Sequence, residues 1–149
     1  MTPLQGMPLF APGMSVASEI VSAALHDGDV VRAGDIVVVA QKIVSKAEGR
    51  LVRLTDVAPG EVARKLAAET GREPEMAQLI LDESSGILRA TPAAIIARHR
   101  CGHVLANAGI DSSNVEGGEA GTVLLWPEDP DASARAIRGE LARLCGARP

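Results

Sequence analysis

The sequence predicts an α/β or α+β fold in which a mixed sheet is flanked by helices. Two observations favour this class. Short apolar runs of strand length alternate with longer segments that have helical periodicity. Helix start and stop signals separate these segments. Neither an internal repeat nor a low-complexity stretch is present. Because strands and helices are interleaved irregularly, a mixed sheet is favoured over a purely parallel one. At 149 residues, the chain is expected to form one domain, residues 1–149.

The first third of the chain predicts a loop, a helix and two strands. Residues 1–14 are punctuated by Pro and Gly, which predicts a strand end followed by a loop. Ser15 can cap a helix that runs to about Leu25, where apolar residues recur near helical spacing. The β-branched run DIVVVAQ, residues 35–41, predicts a strand buried on both faces. RLVRL, residues 50–54, alternates and predicts a half-exposed strand.

The rest of the chain predicts two helices, a group of short strands and a final helix. Gly71 predicts the end of the first helix, and Pro74 predicts the start of the second, which ends near Gly86. Strands are then predicted in four apolar runs, ILRA, AIIARHR, HVLANAG and TVLLW. Asp129 is placed to cap the last helix, which ends at Gly146.

Composition excludes several classes of partner. The net charge of −4 and the near absence of aromatic residues leave neither a basic surface nor stacking platforms for nucleic acid. No apolar run approaches the roughly 20 residues that span a bilayer, so no membrane partner is expected. The N-terminus lacks the positive residues of a secretory signal. Cys101 and Cys145 lie far apart, which predicts reduced thiols in a cytoplasmic protein.

Two lysines follow the predicted buried strand. The carboxyl ends of strands are where α/β sheets bind their ligands, and Lys42 and Lys46 flank Ser45 there. Two ammonium groups at such an edge suit a polyphosphate. The chain has neither a Walker A loop nor a GxGxxG motif. The alternative is that these lysines lie in an ordinary solvated connection.

A loop rich in Asn, Asp, Ser and Gly, NAGIDSSNVEGG, follows another predicted strand. Asp111 offers the carboxylate oxygens that Mg²⁺ or Mn²⁺ prefers, and Glu116 or Glu119 would have to supply a second carboxylate. The alternative is an ordinary loop, which the same composition favours. His99 and His103 have a spacing that could bind metal on a helix, but their surroundings predict strands.

Five segments together resemble one family. GMPLFAPG, GDIVVVAQKIVSKAEGRLV, ILDESSGILR, NAGIDSSN and LLWPEDPDASARAIR occur in this order and cover nearly the whole chain. They closely resemble the GTP-dependent coenzyme F-420:gamma-glutamyl ligase family. The resemblance implies an enzyme that adds L-glutamate to F-420-0 through an acyl phosphate, and it implies a homodimer with a mixed α/β fold.

The resemblance also implies roles for particular residues. Contacts to GTP are implied for Met7, Pro8, Leu9, Phe10, Gln41, Lys42, Lys46 and Asn114. Asp111 matches a ligand of Mg²⁺ or Mn²⁺, and K⁺ is implied as a further ion. No residue is assigned a catalytic role.

One part of the family pattern does not occur in residues 1–149. The second half of the family carries a TDT-G-R-like segment that supplies further metal ligands. The chain is therefore expected to be either the N-terminal portion of a ligase or a natural short form. In both cases the site is incomplete within these residues. The alternative function is a catalytically incomplete domain that binds nucleotide weakly or only mediates dimerisation.

Overall fold

The computed structural model describes residues 2–112 and 121–146, and within them it shows five α-helices and two small antiparallel sheets. The expected α+β class is confirmed, with two sheets where the sequence favoured a single mixed one. No helix within these ranges is long and apolar enough to cross a membrane. The chain divides into two compact units, residues 1–49 with 127–149 and residues 50–126. The expectation of one domain stays a prediction.

The first unit is built from helices. They are α1 (Val16–His26), α2 (Gln41–Ala47) and α5 (Pro130–Cys145). Both predicted caps are confirmed, because Ser15 Oγ accepts the Ser18 amide at 3.0 Å and Asp129 Oδ1 accepts the Ala132 amide at 2.8 Å. α1 packs against α5. The buried core comprises Phe10, Val16, Ala17, Ile20 and Leu141.

The predicted strand over residues 35–41 is wrong. The structure shows no strand in this run, and α2 begins at its last residue. Exposure alternates along the run: Val37 and Val39 pack against the core of the first unit, whereas Ile36 and Val38 are 90% and 77% exposed. β-branched residues favour a strand when a neighbouring strand pairs with them, and the described residues place none beside this run.

The second unit combines a helix pair with both sheets. α3 (Glu61–Thr70) packs against α4 (Pro74–Asp82). The three-stranded antiparallel sheet has the order β2 (Ser84–Ala90), β3 (Ile95–His99) and β4 (Val104–Ala106). The two-stranded sheet pairs β1 (Leu51–Arg53) with β5 (Thr122–Leu124). A single 3-10 turn spans Leu54–Asp56, and a left-handed turn spans Asn107–Gly109. Small and branched apolar side chains from the helices and sheets form the core.

The end of α3 and the start of α4 lie where the sequence predicted them. Gly71 ends α3 with φ +66°, a left-handed conformation that glycine adopts without a steric penalty. Pro74 is the first residue of α4, where its missing amide costs no helical hydrogen bond. The helix ends at Asp82, earlier than expected, because the following residues, including Gly86, pair with β3.

Candidate functional site

The apolar segment Met7–Phe10 lies in a loop of the first unit, and the expected strand end is not formed. Phe10 is 9% exposed and belongs to the core, with Met7 packed against it. Leu9 is 72% exposed, and Pro8 lines a small cavity together with Glu19 of α1. The segment is therefore anchored at Phe10 and open to solvent at Leu9.

Helix α2 carries the predicted phosphate-binding lysines. Lys42 and Lys46 are four residues apart, so they share a face of the helix, and both are half-buried. Gln41 Nε2 donates a hydrogen bond to the Oγ of the fully buried Ser45 at 2.7 Å. This bond orients the Gln41 side chain along the helix. The lysines therefore lie together on a helix rather than in the strand-to-loop connection that the sequence predicted.

Asp111 lies beside β5 in the second unit. Its amide donates to the Leu124 carbonyl at 2.9 Å, and its carbonyl accepts the Leu124 amide at 2.9 Å. This antiparallel bridge is flanked by Ile110, which is 7% exposed, and Leu124 itself is 1% exposed. The backbone of Asp111 is therefore fixed on a buried edge, while its side chain is partly accessible.

A left-handed turn leads into Asp111. Asn107, Ala108 and Gly109 have φ values of +50°, +54° and +77°. For residues other than glycine this conformation costs about 1–3 kcal/mol each, so surrounding contacts must hold it. Ala108 is fully buried, and the Ile110 amide donates to the Asn107 carbonyl at 3.0 Å. The strain therefore lies immediately before the candidate metal ligand.

The metal site is not completed by the described residues. Asn114, Glu116 and Glu119 lie outside residues 2–112 and 121–146. Within those ranges, no group of three or more His, Cys, Asp or Glu side chains is arranged to hold a metal ion. Asp111 is the single predicted ligand that the structure describes, and a hard divalent cation needs several oxygen donors. The described residues therefore do not form a complete metal site.

Sequence reasoning missed a buried charge network around Glu83. This carboxylate is 5% exposed and pairs with the guanidinium groups of Arg50 and Arg100. His99 Nε2 lies 3.4 Å from Glu83 Oε2, a distance typical of an electrostatic contact rather than a good hydrogen bond. The sequence segment DESSG predicted only a helix end. The available signal for the network was an acid, Glu83, at the end of an otherwise apolar helix.

His99 is a fully buried member of this network. The Cys101 amide donates to His99 Nδ1 at 3.1 Å, which places the ring proton on Nε2, towards Glu83. Burial lowers the pKa of His99; Glu83 opposes this effect, and the nearby Arg100 and Arg50 add to it. His99 ends β3 and His103 follows the next turn, so their spacing is not helical, as the sequence predicted. Both cysteines are free thiols, also as expected.

Comparison with known proteins decides the family. The model of the F420-0:gamma-glutamyl ligase family matches residues 6–149. This chain belongs to that family. The match covers almost the whole sequence and confirms the resemblance that the five segments indicated.

Several relatives within the F420-0:gamma-glutamyl ligase family are named coenzyme F420:L-glutamate ligase. The chain is 42% identical to the one from Methanothermobacter thermautotrophicus over 143 residues, which cover 96% of this chain and 56% of the relative. It is 40% identical to the one from Archaeoglobus fulgidus over 146 residues, 98% of this chain and 55% of the relative. It is 43% identical to the one from Methanopyrus kandleri over 136 residues, which cover 91% of this chain and 50% of the relative. The chain thus spans about half the length of the curated relatives that it matches.

The residues carried over from the F420-0:gamma-glutamyl ligase family fall on both units. Met7–Phe10 and the α2 residues Gln41, Lys42 and Lys46 belong to the first unit. Asp111 belongs to the second. The structure therefore brings the two lysines together on one helix face, and it separately fixes the backbone of Asp111.

Proposed function

We propose that this chain forms part of a ligase that joins L-glutamate to F420-0 and so builds the gamma-glutamyl tail of coenzyme F420. One observation carries the proposal: the family match over residues 6–149, with identities of 40–43% to relatives named as ligases of L-glutamate and coenzyme F420. The bond formed is an amide between a carboxylate of F420-0 and the amine of glutamate. A carboxylate is a poor acyl donor in water, so the reaction requires an activating group.

GTP supplies that activation in the proposed mechanism. The carboxylate oxygen of F420-0 attacks the γ-phosphorus of GTP, and the bond between the β- and γ-phosphates breaks, which gives an acyl phosphate and GDP. The glutamate amine then attacks the acyl carbon and loses a proton as phosphate leaves. Charge accumulates on phosphate oxygens during both steps, so fixed positive groups favour them.

Residues of the first unit are assigned to the nucleotide. Lys42 and Lys46 share a face of α2, where two ammonium groups can meet neighbouring phosphates. Gln41, oriented by Ser45, is assigned a hydrogen bond to the nucleotide. The segment Met7–Phe10 is assigned to the nucleoside of GTP. Its position supports this assignment, because Phe10 is buried in the core and Leu9 is exposed to solvent.

Asp111 is assigned to Mg²⁺ or Mn²⁺, with Asn114 as a further GTP contact and K⁺ as an additional ion. A bound divalent cation would neutralise charge on the phosphates. The bridge to Leu124 supports the assignment of Asp111, because a ligand needs a fixed backbone. Within residues 2–112 and 121–146, no group of three or more His, Cys, Asp or Glu side chains completes this site.

A second candidate is a catalytically incomplete domain that binds nucleotide weakly or only mediates formation of a homodimer. One observation favours it: among residues 2–112 and 121–146, no group of three or more His, Cys, Asp or Glu side chains is arranged to hold a metal ion. The homodimer and the cytoplasmic location stay predictions.

An assay with the 149-residue chain separates the two candidates. The chain is mixed with F420-0, GTP, L-glutamate and Mn²⁺, and mass spectrometry follows the gain of one glutamyl residue. The ligase proposal, in which this chain is part of the enzyme, expects this gain together with GDP once the second half of the family is supplied, and silence with that half present would contradict it. Calorimetry of GTP with and without Mn²⁺ tests the second candidate, which tight, Mn²⁺-dependent binding would contradict.

Two carboxylate variants then test the metal assignment. Asp111→Ala should abolish Mn²⁺-dependent binding and turnover, because it removes the assigned ligand. Asp56→Ala removes an exposed carboxylate from the same unit and should leave both unchanged. Normal behaviour of Asp111→Ala would show that the metal is held elsewhere.

A further inference from the structure

Gly109 and Trp126 meet next to the bridge between Asp111 and Leu124. Asp111 and Leu124 pair in antiparallel fashion, so the residue two positions before Asp111 lies opposite the residue two positions after Leu124. These two residues are Gly109 and Trp126. A β-carbon at Gly109 would lie 2.7 Å from Cε3 and 3.1 Å from Cδ2 of Trp126, and 3.0 Å from Cδ1 of Leu105. The indole therefore occupies the space that a side chain at position 109 would need.

Trp126 is itself held from its backbone. Its carbonyl accepts a hydrogen bond from Arg50 Nε at 3.0 Å. The amide of Leu125, the residue before Trp126, donates to the Arg50 carbonyl at 2.9 Å. The guanidinium of Arg50 pairs in turn with the buried carboxylate of Glu83. A continuous set of contacts thus runs from Glu83 through Arg50 and Trp126 to Gly109.

We propose that Trp126, held by Arg50 and Glu83, is a positioning residue for the carboxylate of Asp111. The indole closes over Gly109 and locks the left-handed turn Asn107–Gly109, which sets the direction in which the chain enters the bridge at Asp111. A strained turn keeps its geometry only when neighbouring groups over-determine it, and Trp126 supplies that constraint. The inference rests on the proposed role of Asp111 as a metal ligand.

Amide hydrogen exchange tests the constraint without any metal. Gly109→Ala introduces the β-carbon that meets Trp126. The control Gly102→Ala imposes the same kind of strain, since Gly102 has φ +96°, but no atom lies within 4 Å of its β-carbon. We expect Gly109→Ala to speed exchange of the Asp111 and Leu124 amides by about tenfold or more, and Gly102→Ala to leave them near the parent rates.

The pattern of exchange separates positioning from general stability. A positioning role predicts faster exchange at the bridge and unchanged exchange within α3, which belongs to the same unit. Equal acceleration at the bridge and in α3, or equal effects of the two glycine variants, would overturn the inference. If Gly109→Ala does not fold, Trp126→Leu removes the indole instead, and an unchanged bridge in that variant would overturn it.

Mn²⁺ titration then tests the link to the proposed function. In the 149-residue chain we expect Gly109→Ala to weaken Mn²⁺ binding by about tenfold relative to Gly102→Ala. Mn²⁺ binding that depends on Asp111 and is equal in both glycine variants would overturn the inference alone. Mn²⁺ binding that survives Asp111→Ala would contradict the proposed metal role, while the exchange pattern would still decide the positioning role.

Discussion

Arg100 Nη2 donates a hydrogen bond to Glu83 Oε1 at 2.7 Å, although the Glu83 side chain is 6% exposed and that of Arg100 is 49% exposed. The two residues join the end of α4 to the turn after β3. The Arg100 amide also donates to the Glu83 carbonyl at 3.0 Å. One acid therefore ties a helix end to a hairpin through both backbone and side chain.

We expect Glu83→Gln to lower the free energy of unfolding by about 3 kcal/mol, because it leaves Arg50 and Arg100 without their buried counter-charge. Urea denaturation followed by circular dichroism measures the change. Glu69→Gln, which alters an exposed acid on α3, should change it by less than about 0.5 kcal/mol. Equal effects of the two variants would show that the network contributes little.

His99 should make stability depend on pH. Its pKa lies below the ordinary 6.5 in the folded protein, so the unfolded chain binds the proton more readily. The stability that neutral His99 contributes is fully present above pH 6.5, the pKa of the unfolded chain. It is lost as the pH falls from 6.5 towards the lower pKa of the folded protein. Urea midpoints at neutral and mildly acidic pH should therefore differ more in the parent than in His99→Gln.

The N-terminus of α1 should owe part of its stability to Ser15. Its hydroxyl caps the helix and also donates to Glu140 Oε1 of α5 at 2.8 Å. We expect Ser15→Ala to cost about 1 kcal/mol for the lost cap and about 0.5–1 kcal/mol for the lost contact with Glu140. A double-mutant cycle with Glu140→Ala isolates the second contribution. A coupling energy near zero would restrict the role of Ser15 to capping.

Two glycines should respond to alanine in opposite directions. Gly139 lies inside α5 with open space around its β-position, so Gly139→Ala should stabilise the protein by about 0.5–1 kcal/mol. Gly71 has equally open space but φ +66°, so Gly71→Ala should destabilise it by about 1 kcal/mol. Thermal unfolding measures both. The same sign for both variants would contradict the backbone assignment at one of them.

Removal of either lysine of α2 should weaken GTP binding if the proposed function is correct. Lys42→Ala and Lys46→Ala each remove a charge-assisted hydrogen bond to phosphate, which is worth about 1.5–3 kcal/mol, or roughly tenfold or more in the dissociation constant. Calorimetry with Mn²⁺ and GTP provides the measurement. Lys65→Ala, on α3, serves as the charge-matched control. Parent-like binding in both α2 variants would remove these lysines from the site.

Local signals predicted the four helices α1, α3, α4 and α5 because the causes of these helices are local. Ser15 and Asp129 cap helices through bonds to amides three residues away, and Gly71 ends α3 through its own backbone conformation. The run at residues 35–41 was misassigned because a strand depends on a partner, and a partner is not a local property. The same limit explains why Lys42 and Lys46 were placed after a strand rather than on a helix.

The candidate site was predictable only where the residues themselves carry the family pattern. Met7–Phe10, Lys42 and Asp111 could be selected from sequence segments. The pairing of Glu83 with Arg50 could not, since 33 residues separate them and neither has a distinctive neighbour. The contact of Gly109 with Trp126 was equally hidden, because it depends on the register of two distant segments.

The identity of Trp126 has a practical consequence. The sequence has one Trp and no Tyr, so nearly all of the near-ultraviolet fluorescence of the protein originates from one indole. That indole lies against Gly109, two residues before Asp111, and within 6.4 Å of the His103 ring between centroids. The chain therefore contains its own optical reporter, next to the turn that leads into Asp111.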